Sequence, residues 1–149
     1  MDCVFCAILK GEIPAKVFGE NANALAFLDI NPFSDGHTVV ISKQHYKYFS
    51  ETPKEVLADM VSLCKDVANK ISKSKLKPWG FNYLCNEGSI AGQVVMHVHM
   101  HVLPKYGKDE GFKFGEAKNK ILKPVDEVFN TIKTIKNSHF DLGGMENDR

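Results

Sequence analysis

The sequence has no long apolar run and no strong charge of either sign. No stretch of its 149 residues approaches the roughly 20 apolar residues of a membrane-spanning helix. With 19 basic and 18 acidic residues, it has no bulk field for nonspecific binding of nucleic acid or anionic membranes. The start, Met1-Asp2-Cys3, lacks the basic and apolar regions of a secretory signal. We therefore expect a cytoplasmic protein with neither a membrane nor bulk nucleic acid as its partner.

Motifs for two common kinds of phosphate chemistry are also missing. The chain carries no Gly-x-x-x-x-Gly-Lys loop and no magnesium motif, which disfavours P-loop and kinase chemistry. Cysteine is scarce, and in a reducing compartment we expect thiols or metal ligands. Cys64 and Cys85 lie in apolar patterns and are interpreted as small buried hydrophobes. Cys3 and Cys6 form a Cys-x-x-Cys without the thioredoxin-like strand and helix, which leaves metal binding as the favoured interpretation.

The most distinctive stretch of the chain runs from Gly92 to Tyr106. It places His97, His99 and His101 at every second position, with apolar residues between them. This alternation predicts a half-buried strand with all three imidazoles on one face. Three such rings in one small space indicate a metal, a phosphate or a reaction, and the alternative is a solvent-facing polar edge. A three-histidine catalytic metal site is disfavoured, because side chains along one straight strand span too far to reach one ion.

The remaining periodicities predict an α+β fold with about five strands. The predicted strands are Lys16–Gly19, Ala24–Asp29, His37–Ser42, Phe81–Cys85 and the histidine strand, which Leu103-Pro104 should end. The predicted helices are a short one at Ala7–Lys10 that stops at Gly11, a long one with Thr52 as N-cap and Pro53 at its first position, ending near Lys73, and a terminal one from about Pro124 to Asn137. Helices on one face of a mainly antiparallel sheet complete this architecture.

The length indicates a single domain over residues 1–149. We expect a core at about 3–106, a loop and helix at about 107–137, and a frayed tail at 141–149.

The motif Gly92-Gln93-x-x-x-His97-x-His99-x-His101-x-x-Pro104 resembles the signature of the histidine-triad (HIT) family of nucleotide hydrolases and transferases. Further blocks are similar to the same family, in the same order: Phe5–Lys16, Ala26–Ile30, Gly36–Lys43 and Cys85–Gly88. The resemblance covers roughly residues 3–106. It implies an α+β architecture and suggests a homodimer.

Zinc-containing members of this family place their ligands at positions that match Cys3, Cys6, His45 and His97. A Cys2His2 set provides the four tetrahedral ligands of a closed structural zinc site. Other members lack the cysteine pair, so the resemblance implies a structural rather than a catalytic zinc. The alternative is a pair of ordinary thiols near the N-terminus and a surface His45.

The resemblance also implies covalent catalysis at an α-phosphate, with His99 as the nucleophile and a nucleoside monophosphate as the product. A neutral imidazole is competent for this step, since its ordinary pKa is about 6.5. The phosphate would meet His101, Gln93 and Asn86, with His37 nearby, and a protonated His37 or His101 could lend charge or a proton to the leaving group. The expected substrates are nucleoside phosphoramidates, nucleotidyl adducts or dinucleoside polyphosphates.

The nucleoside itself would occupy the family's base pocket. The matching residues are Phe5, Ile8, Ile13, Phe27 and Leu28, with Asp29 as the ribose-binding carboxylate. The chain departs from the phosphoramidase branch at Val94, where serine or threonine is usual, so a hydroxyl near the leaving group is absent. Two alternatives to an enzyme stay open: a purine-nucleotide sensor or scaffold without catalysis, and a zinc-stabilised interaction domain without nucleotide.

Overall fold

Five strands form one antiparallel sheet in the computed structural model, which describes residues 3–115 and 121–136. The strands are β1 (Val17–Glu20), β2 (Ala24–Leu28), β3 (Thr38–Ser42), β4 (Gly80–Leu84) and β5 (His99–Lys105). Their spatial order is β1-β2-β3-β5-β4, and all four neighbouring pairs are antiparallel. The predicted α+β fold with a five-stranded sheet is confirmed.

Within the described residues, three α-helices accompany the sheet: α1 (Val4–Leu9), α2 (Lys54–Lys73) and α3 (Val125–Lys133). Short 3-10 turns lie at Phe49–Glu51 and Ser89–Ala91. Helix α2 packs its apolar stripe on the sheet, with Met60 fully buried and Leu63 3% exposed. This stripe has the three- and four-residue spacing that the sequence predicts.

Strand alternation divides the core into two layers. Val40 and Val102 lie in the cluster under α2, whereas Val39 and Ile41 lie in a second cluster that includes Phe5 of α1. His99 pairs with Ile41 and His101 pairs with Val39. Because directly paired residues share a face of the sheet, both imidazoles lie on the α1 side.

The expectation of three histidines along one strand is wrong for His97. Strand β5 begins at His99, and His97 belongs to a bent segment before it. Strand β5 also continues through Pro104, which pairs with Phe81, rather than ending there. The pairing with β3 stops at Val102, so the strand beyond it is bordered on one side only, where a missing N–H is tolerated.

Two helix starts also differ from the prediction. Helix α1 begins earlier than expected, because the Cys3 side chain caps it by accepting from the Cys6 N–H. Helix α2 has Pro53 at its N-cap, without a side-chain cap. The Thr52 hydroxyl instead donates to the Tyr48 carbonyl at 2.8 Å, so it is not available to cap the helix.

The described residues from 121 to 136 lie on the surface rather than in this core. All described residues from 121 to 136 are exposed, including the apolar side chains of α3. The predicted tail at 141–149 and the end of the predicted terminal helix at Asn137 lie outside the described residues. Within the described ranges, no helix combines the length and apolar character that a membrane span needs.

Candidate active site and metal centre

Four side chains from distant parts of the sequence meet beside the N-terminus of α1. They are Cys3, Cys6, His45 and His97, and one donor atom of each lies within 4.8 Å of the others. Cys3 and Cys6 meet because they lie on the first turn of α1, at the spacing of one helical turn. The bend before β5 turns His97 out of line with the other two histidines and towards these thiols.

The distances in this cluster fit a tetrahedral zinc ion. Zn–S bonds of about 2.3 Å and Zn–N bonds of about 2.05 Å place two tetrahedral nitrogen donors, or a nitrogen and a sulfur donor, about 3.3–3.6 Å apart. His97 Nδ1 lies 3.3 Å from Cys3 Sγ, 3.6 Å from Cys6 Sγ and 3.2 Å from His45 Nδ1. Cys6 Sγ lies 3.3 Å from His45 Nδ1. These four residues can therefore hold a metal ion.

The tautomer of His97 suits metal binding. Its Nε2 lies 2.8 Å from the Ser42 carbonyl, which can only accept, so Nε2 carries the proton and Nδ1 keeps its lone pair. Burial lowers the pKa of His97 to about 4, which keeps the ring neutral. Burial raises the pKa of Cys6, with Cys3 adding to the effect, so binding of a metal must release a thiol proton.

His99 has the opposite tautomer. Its Nδ1 lies 2.7 Å from the carbonyl oxygen of His97, so Nδ1 carries the proton and the lone pair is on Nε2. The ring is buried and packs edge-on against Phe5, with centroids 5.0 Å apart. Burial lowers the pKa of His99, and the imidazole is therefore neutral below the pH at which histidine ordinarily protonates. A neutral, oriented lone pair is what a nitrogen nucleophile requires.

A backbone amide orients His37 and, through it, His101. The Phe33 N–H donates to His37 Nδ1 at 3.1 Å, so His37 carries its proton on Nε2. That Nε2–H lies 2.9 Å from His101 Nδ1, which must accept. The proton of neutral His101 is therefore on Nε2, and this N–H is left to donate to a bound group.

Asp29 lies at the edge of the same hydrogen-bonded chain. Its Oδ2 is 3.6 Å from His37 Nε2, and its Oδ1 accepts from the Asn31 N–H at 2.8 Å. Asp29, His37 and His101 also have three donor atoms within 4.8 Å of one another. The Phe33 N–H donates to Nδ1 of His37. A metal at Nε2 would move the ring proton to Nδ1, where the Nδ1–H would face the Phe33 N–H. This cluster favours hydrogen bonding over metal binding.

Burial also lowers the pKa values of the two hydrogen-bonded histidines, His37 and His101. Burial lowers the pKa of His101 to about 4, and the neighbouring His99 and His37 add to the effect. The pKa of His37 is lowered by burial, although the Asp29 carboxylate opposes the shift. Both rings are therefore neutral at physiological pH, in agreement with the hydrogen-bonding pattern.

The loop between β4 and β5 carries the two amides that were predicted to meet the phosphate, Asn86 and Gln93. Both amides make hydrogen bonds to backbone groups. The Asn86 amide donates to the Gly92 carbonyl at 3.3 Å and stays partly exposed. Gly92 has φ of 100°, and a Cβ there would lie 3.2 Å from Asn86 Nδ2, so glycine is required at this close approach. The Gln93 amide is buried and makes three hydrogen bonds to backbone groups.

The predicted base-pocket residues divide between core and surface. Phe5 and Phe27 are buried and pack edge-on with centroids 5.7 Å apart, and Ile8 packs on their cluster. Leu28 and Ile13 are each 39% exposed, and Val94 is 87% exposed. The site therefore has an apolar wall with exposed residues near it, and Phe5 links that wall to His99.

Sequence reasoning missed the backbone groups that fix each imidazole. The Phe33 N–H, the Ser42 carbonyl and the His97 carbonyl orient three different rings. Phe33 also stacks on His37 with centroids 5.7 Å apart. No residue type signals such partners, because every residue has an N–H or a carbonyl; the turn-rich loop from Asn31 to Gly36 was the nearest signal.

The fold and the paired imidazoles define a class of small α+β proteins with a histidine-lined candidate site. A family model described as the HIT domain matches residues 10–108 of this chain. The protein belongs to the HIT family.

Relatives and solved structures give the same family assignment. An uncharacterised HIT-like protein of Methanocaldococcus jannaschii is 46% identical over 132 residues, covering 88% of this chain and 98% of the relative. The adenosine 5′-monophosphoramidase of Schizosaccharomyces pombe is 44% identical over 115 residues, covering 77% and 83%. A Zn-bound histidine-triad family protein of Mycobacterium smegmatis matches with a TM-score of 0.71 and 40% identity, covering 78% of this chain and 85% of the other.

Proposed function

We propose that this protein is a nucleotide hydrolase that cleaves at the α-phosphate of purine nucleoside phosphoramidates or related nucleotidyl adducts through a covalent nucleotidyl-histidine intermediate. The observation that carries the proposal is the hydrogen bond of 2.7 Å between His99 Nδ1 and the His97 carbonyl. It leaves the Nε2 lone pair of a neutral imidazole as the nucleophile. Similarity to an adenosine 5′-monophosphoramidase supports the choice of bond and nucleoside.

In the first step, His99 Nε2 attacks the α-phosphorus, and the bond from phosphorus to the leaving nitrogen breaks. The departing amine takes its proton from solvent, because both His37 and His101 are neutral and Val94 offers no hydroxyl. In the second step, water attacks phosphorus, the P–N bond to His99 breaks, and nucleoside monophosphate and a proton are released. Each step is one in-line displacement at phosphorus.

His101 stabilises the charge that develops on the phosphoryl oxygens. Protonation of His101 at Nδ1 would set it against the His37 Nε2–H, 2.9 Å away. The ring therefore acts as a neutral Nε2–H donor rather than as a general acid. Fixed donors of this kind lower the barrier because they need no reorganisation during the reaction. Asp29 would bind the ribose hydroxyls, and the apolar wall at Phe5 and Phe27 would support the base.

We further propose that Cys3, Cys6, His45 and His97 hold a structural zinc ion. The donor distances support this assignment, as does the similarity to a Zn-bound family member. When bound, zinc would join the first turn of α1 to the segment that precedes β5. The ion would carry no part of the displacement at phosphorus, because all four positions are filled by the protein.

A homodimer is also part of this proposal. Strand β4 lies at an edge of the sheet, with Tyr83 49% exposed, and Trp79 beside it is 79% exposed. An unpaired edge with aromatic side chains is suited to association with a second copy. Sedimentation equilibrium tests this part, and a single species of about 17 kDa at all concentrations would contradict it.

The decisive experiment measures release of AMP from adenosine 5′-phosphoramidate by the wild type and by His99→Ala. We expect turnover by the wild type and a loss of at least about 10³-fold in kcat in the variant, because the nucleophile is gone. AMP binding in both proteins, measured by calorimetry, is the control for the intact site. Equal turnover would contradict the role of His99, and binding without turnover in the wild type would favour a nucleotide sensor.

A further inference from the structure

Gln93 lies between the β4–β5 loop and the bend that carries His97. Its side chain is 3% exposed, and among the described residues the carboxamide makes three hydrogen bonds to backbone groups. Oε1 accepts from the Gly88 N–H at 2.8 Å. Nε2 donates to the Lys47 carbonyl at 2.8 Å and to the Val95 carbonyl at 3.1 Å. A primary amide has two donor hydrogens, so both are used and none is left for a phosphate.

Two of the partners flank Gln93 in the β4–β5 connection and the third lies on a separate segment, so the amide joins these two segments. Gly88 belongs to the loop after β4, Lys47 follows His45, and Val95 precedes His97. Because breaking a buried amide away from three partners leaves each of them unsatisfied, this connection is costly to open. The Gln93 side chain is therefore held by backbone groups beside the site and is not free to turn towards a ligand.

A second contact fixes the same loop from the solvent side. The Glu87 carboxylate accepts from the Ser50 N–H at 2.7 Å and from the Ser50 hydroxyl at 3.0 Å. Both contacts therefore tie the segment from 86 to 93 to the segment from 47 to 50. Asn86 lies at the start of the tied loop, and His99 follows its end by six residues.

We propose that Gln93 is a positioning residue rather than a ligand of the phosphate, and that its amide holds the loop from 86 to 92 so that Asn86 and His99 keep their places around the substrate. The inference rests on the proposed function for its catalytic readout. Its structural claim concerns the free protein and is testable without turnover. A phosphate ligand would act on the bound state, whereas a positioning residue acts before any substrate binds.

Two variants of Gln93 and one control test this proposal. Gln93→Met keeps the volume of the side chain but removes all three hydrogen bonds. Gln93→Glu keeps the acceptor for Gly88 but places a carboxylate oxygen against two carbonyls. Ile90→Ala alters the same loop at a side chain that is 84% exposed and makes no contact used by the proposal. The readouts are kcat and KM for adenosine 5′-phosphoramidate, AMP affinity by calorimetry, and amide hydrogen exchange of residues 86–92 in the free protein.

We expect Gln93→Met to lower kcat by about 10- to 100-fold while AMP affinity changes by less than about threefold. Exchange in the loop should be faster in the free variant than in the wild type and in Ile90→Ala. Gln93→Glu should resemble Gln93→Met at pH 8 and recover as the pH falls, because a protonated carboxyl again donates to one carbonyl. Should Gln93→Met fail to fold, this pH-dependent recovery is the remaining test.

A loss of AMP affinity of tenfold or more, with unchanged exchange in the free protein, would overturn the proposal and make Gln93 a phosphate ligand. A pH-independent defect in Gln93→Glu would also overturn it. Absence of turnover in the wild type would instead defeat the proposed function. Exchange and AMP affinity would then still decide the role of Gln93.

Discussion

The candidate metal centre and the candidate active site use histidine in two different hydrogen-bonding arrangements. At the candidate metal centre, the Nδ1 atoms of His45 and His97 lie 3.2 Å apart, and the Ser42 carbonyl at Nε2 of His97 leaves the Nδ1 lone pair of that ring available. In the candidate active site, His37 Nε2 lies 2.9 Å from His101 Nδ1, and the His37 N–H donates to His101. The difference comes from the backbone group on the far nitrogen of His97, a carbonyl, and of His37, an N–H. A carbonyl on one ring nitrogen fixes the proton there and leaves the lone pair of the other nitrogen for a metal or an electrophile. A backbone N–H on one ring nitrogen places the proton on the other nitrogen, which then donates to the next ring.

The largest expected effect is a loss of thermal stability when a proposed metal ligand is removed. Cys6→Ser should lose the zinc ion and lower the melting temperature by about 10 °C or more, because metal binding contributes to folding. Metal analysis and thermal unfolding measure this. Treatment of the wild type with a chelator should reproduce the shift, and the variant should show no further shift. One zinc ion per chain in the variant would contradict the proposed ligand set.

A smaller effect is expected from breaking the hydrogen bonds that run from the Phe33 N–H through His37 to His101. His37→Leu should lower kcat/KM by about 10²-fold, because His101 Nδ1 loses the donor that fixes its tautomer. Zinc content should stay at the wild-type level, unlike in Cys6→Ser. The matched variant Phe33→Leu keeps the backbone N–H and loses only ring stacking, so its cost should be no more than about threefold. A larger loss of kcat/KM in Phe33→Leu than in His37→Leu would contradict the role of the hydrogen bond from His37 to His101.

The pH dependence provides a third test. The nucleophile must be neutral, and burial lowers the pKa of His99, so the neutral form persists as the pH falls below 6.5. The acidic limb of kcat/KM should therefore lie below pH 6.5, where an exposed histidine would already have lost activity. This profile reports the free enzyme, so it is measured at substrate concentrations below KM. An acidic limb at or above pH 6.5 would show that an ordinary imidazole controls the rate.

The smallest effect is expected at Val94. Val94→Ser restores a hydroxyl near the proposed leaving group at a position that is 87% exposed. One added hydrogen bond should raise kcat/KM for a phosphoramidate by about two- to tenfold. Val94→Ala is the control, since it removes bulk without adding a donor. Equal gains in both variants would attribute the effect to space rather than to the hydroxyl.

Local patterns predicted the sheet and the long helix well. The alternation in β3 and the three- and four-residue spacing in α2 each report which face of an element is buried. The apparent regularity of the histidines was misleading, because the same period-2 spacing extends through His97 into a bend. The end of β5 was also mispredicted, since the tolerance of Pro104 depends on where β3 stops.

The candidate metal ligands and the histidine tautomers differ in how far the sequence predicts them. Cys3 and His97 are 94 positions apart, and a family resemblance linked them where spacing alone did not. The tautomers depend on which backbone group faces each nitrogen, and that is fixed only when loops and strands pack together. For the same reason, the sequence suggested Gln93 as a phosphate ligand, while its amide makes buried backbone contacts.

The register of β5 has an evolutionary consequence. His101 pairs with Val39 on one side and with Leu84 on the other, so two neighbouring strands hold it in place. Deletion or insertion of one residue in this strand would move Met100 or Val102 to the α1 face and send the imidazoles under α2. Lineages can therefore vary this strand by substitution, whereas changes in length should be confined to connections such as residues 106–115.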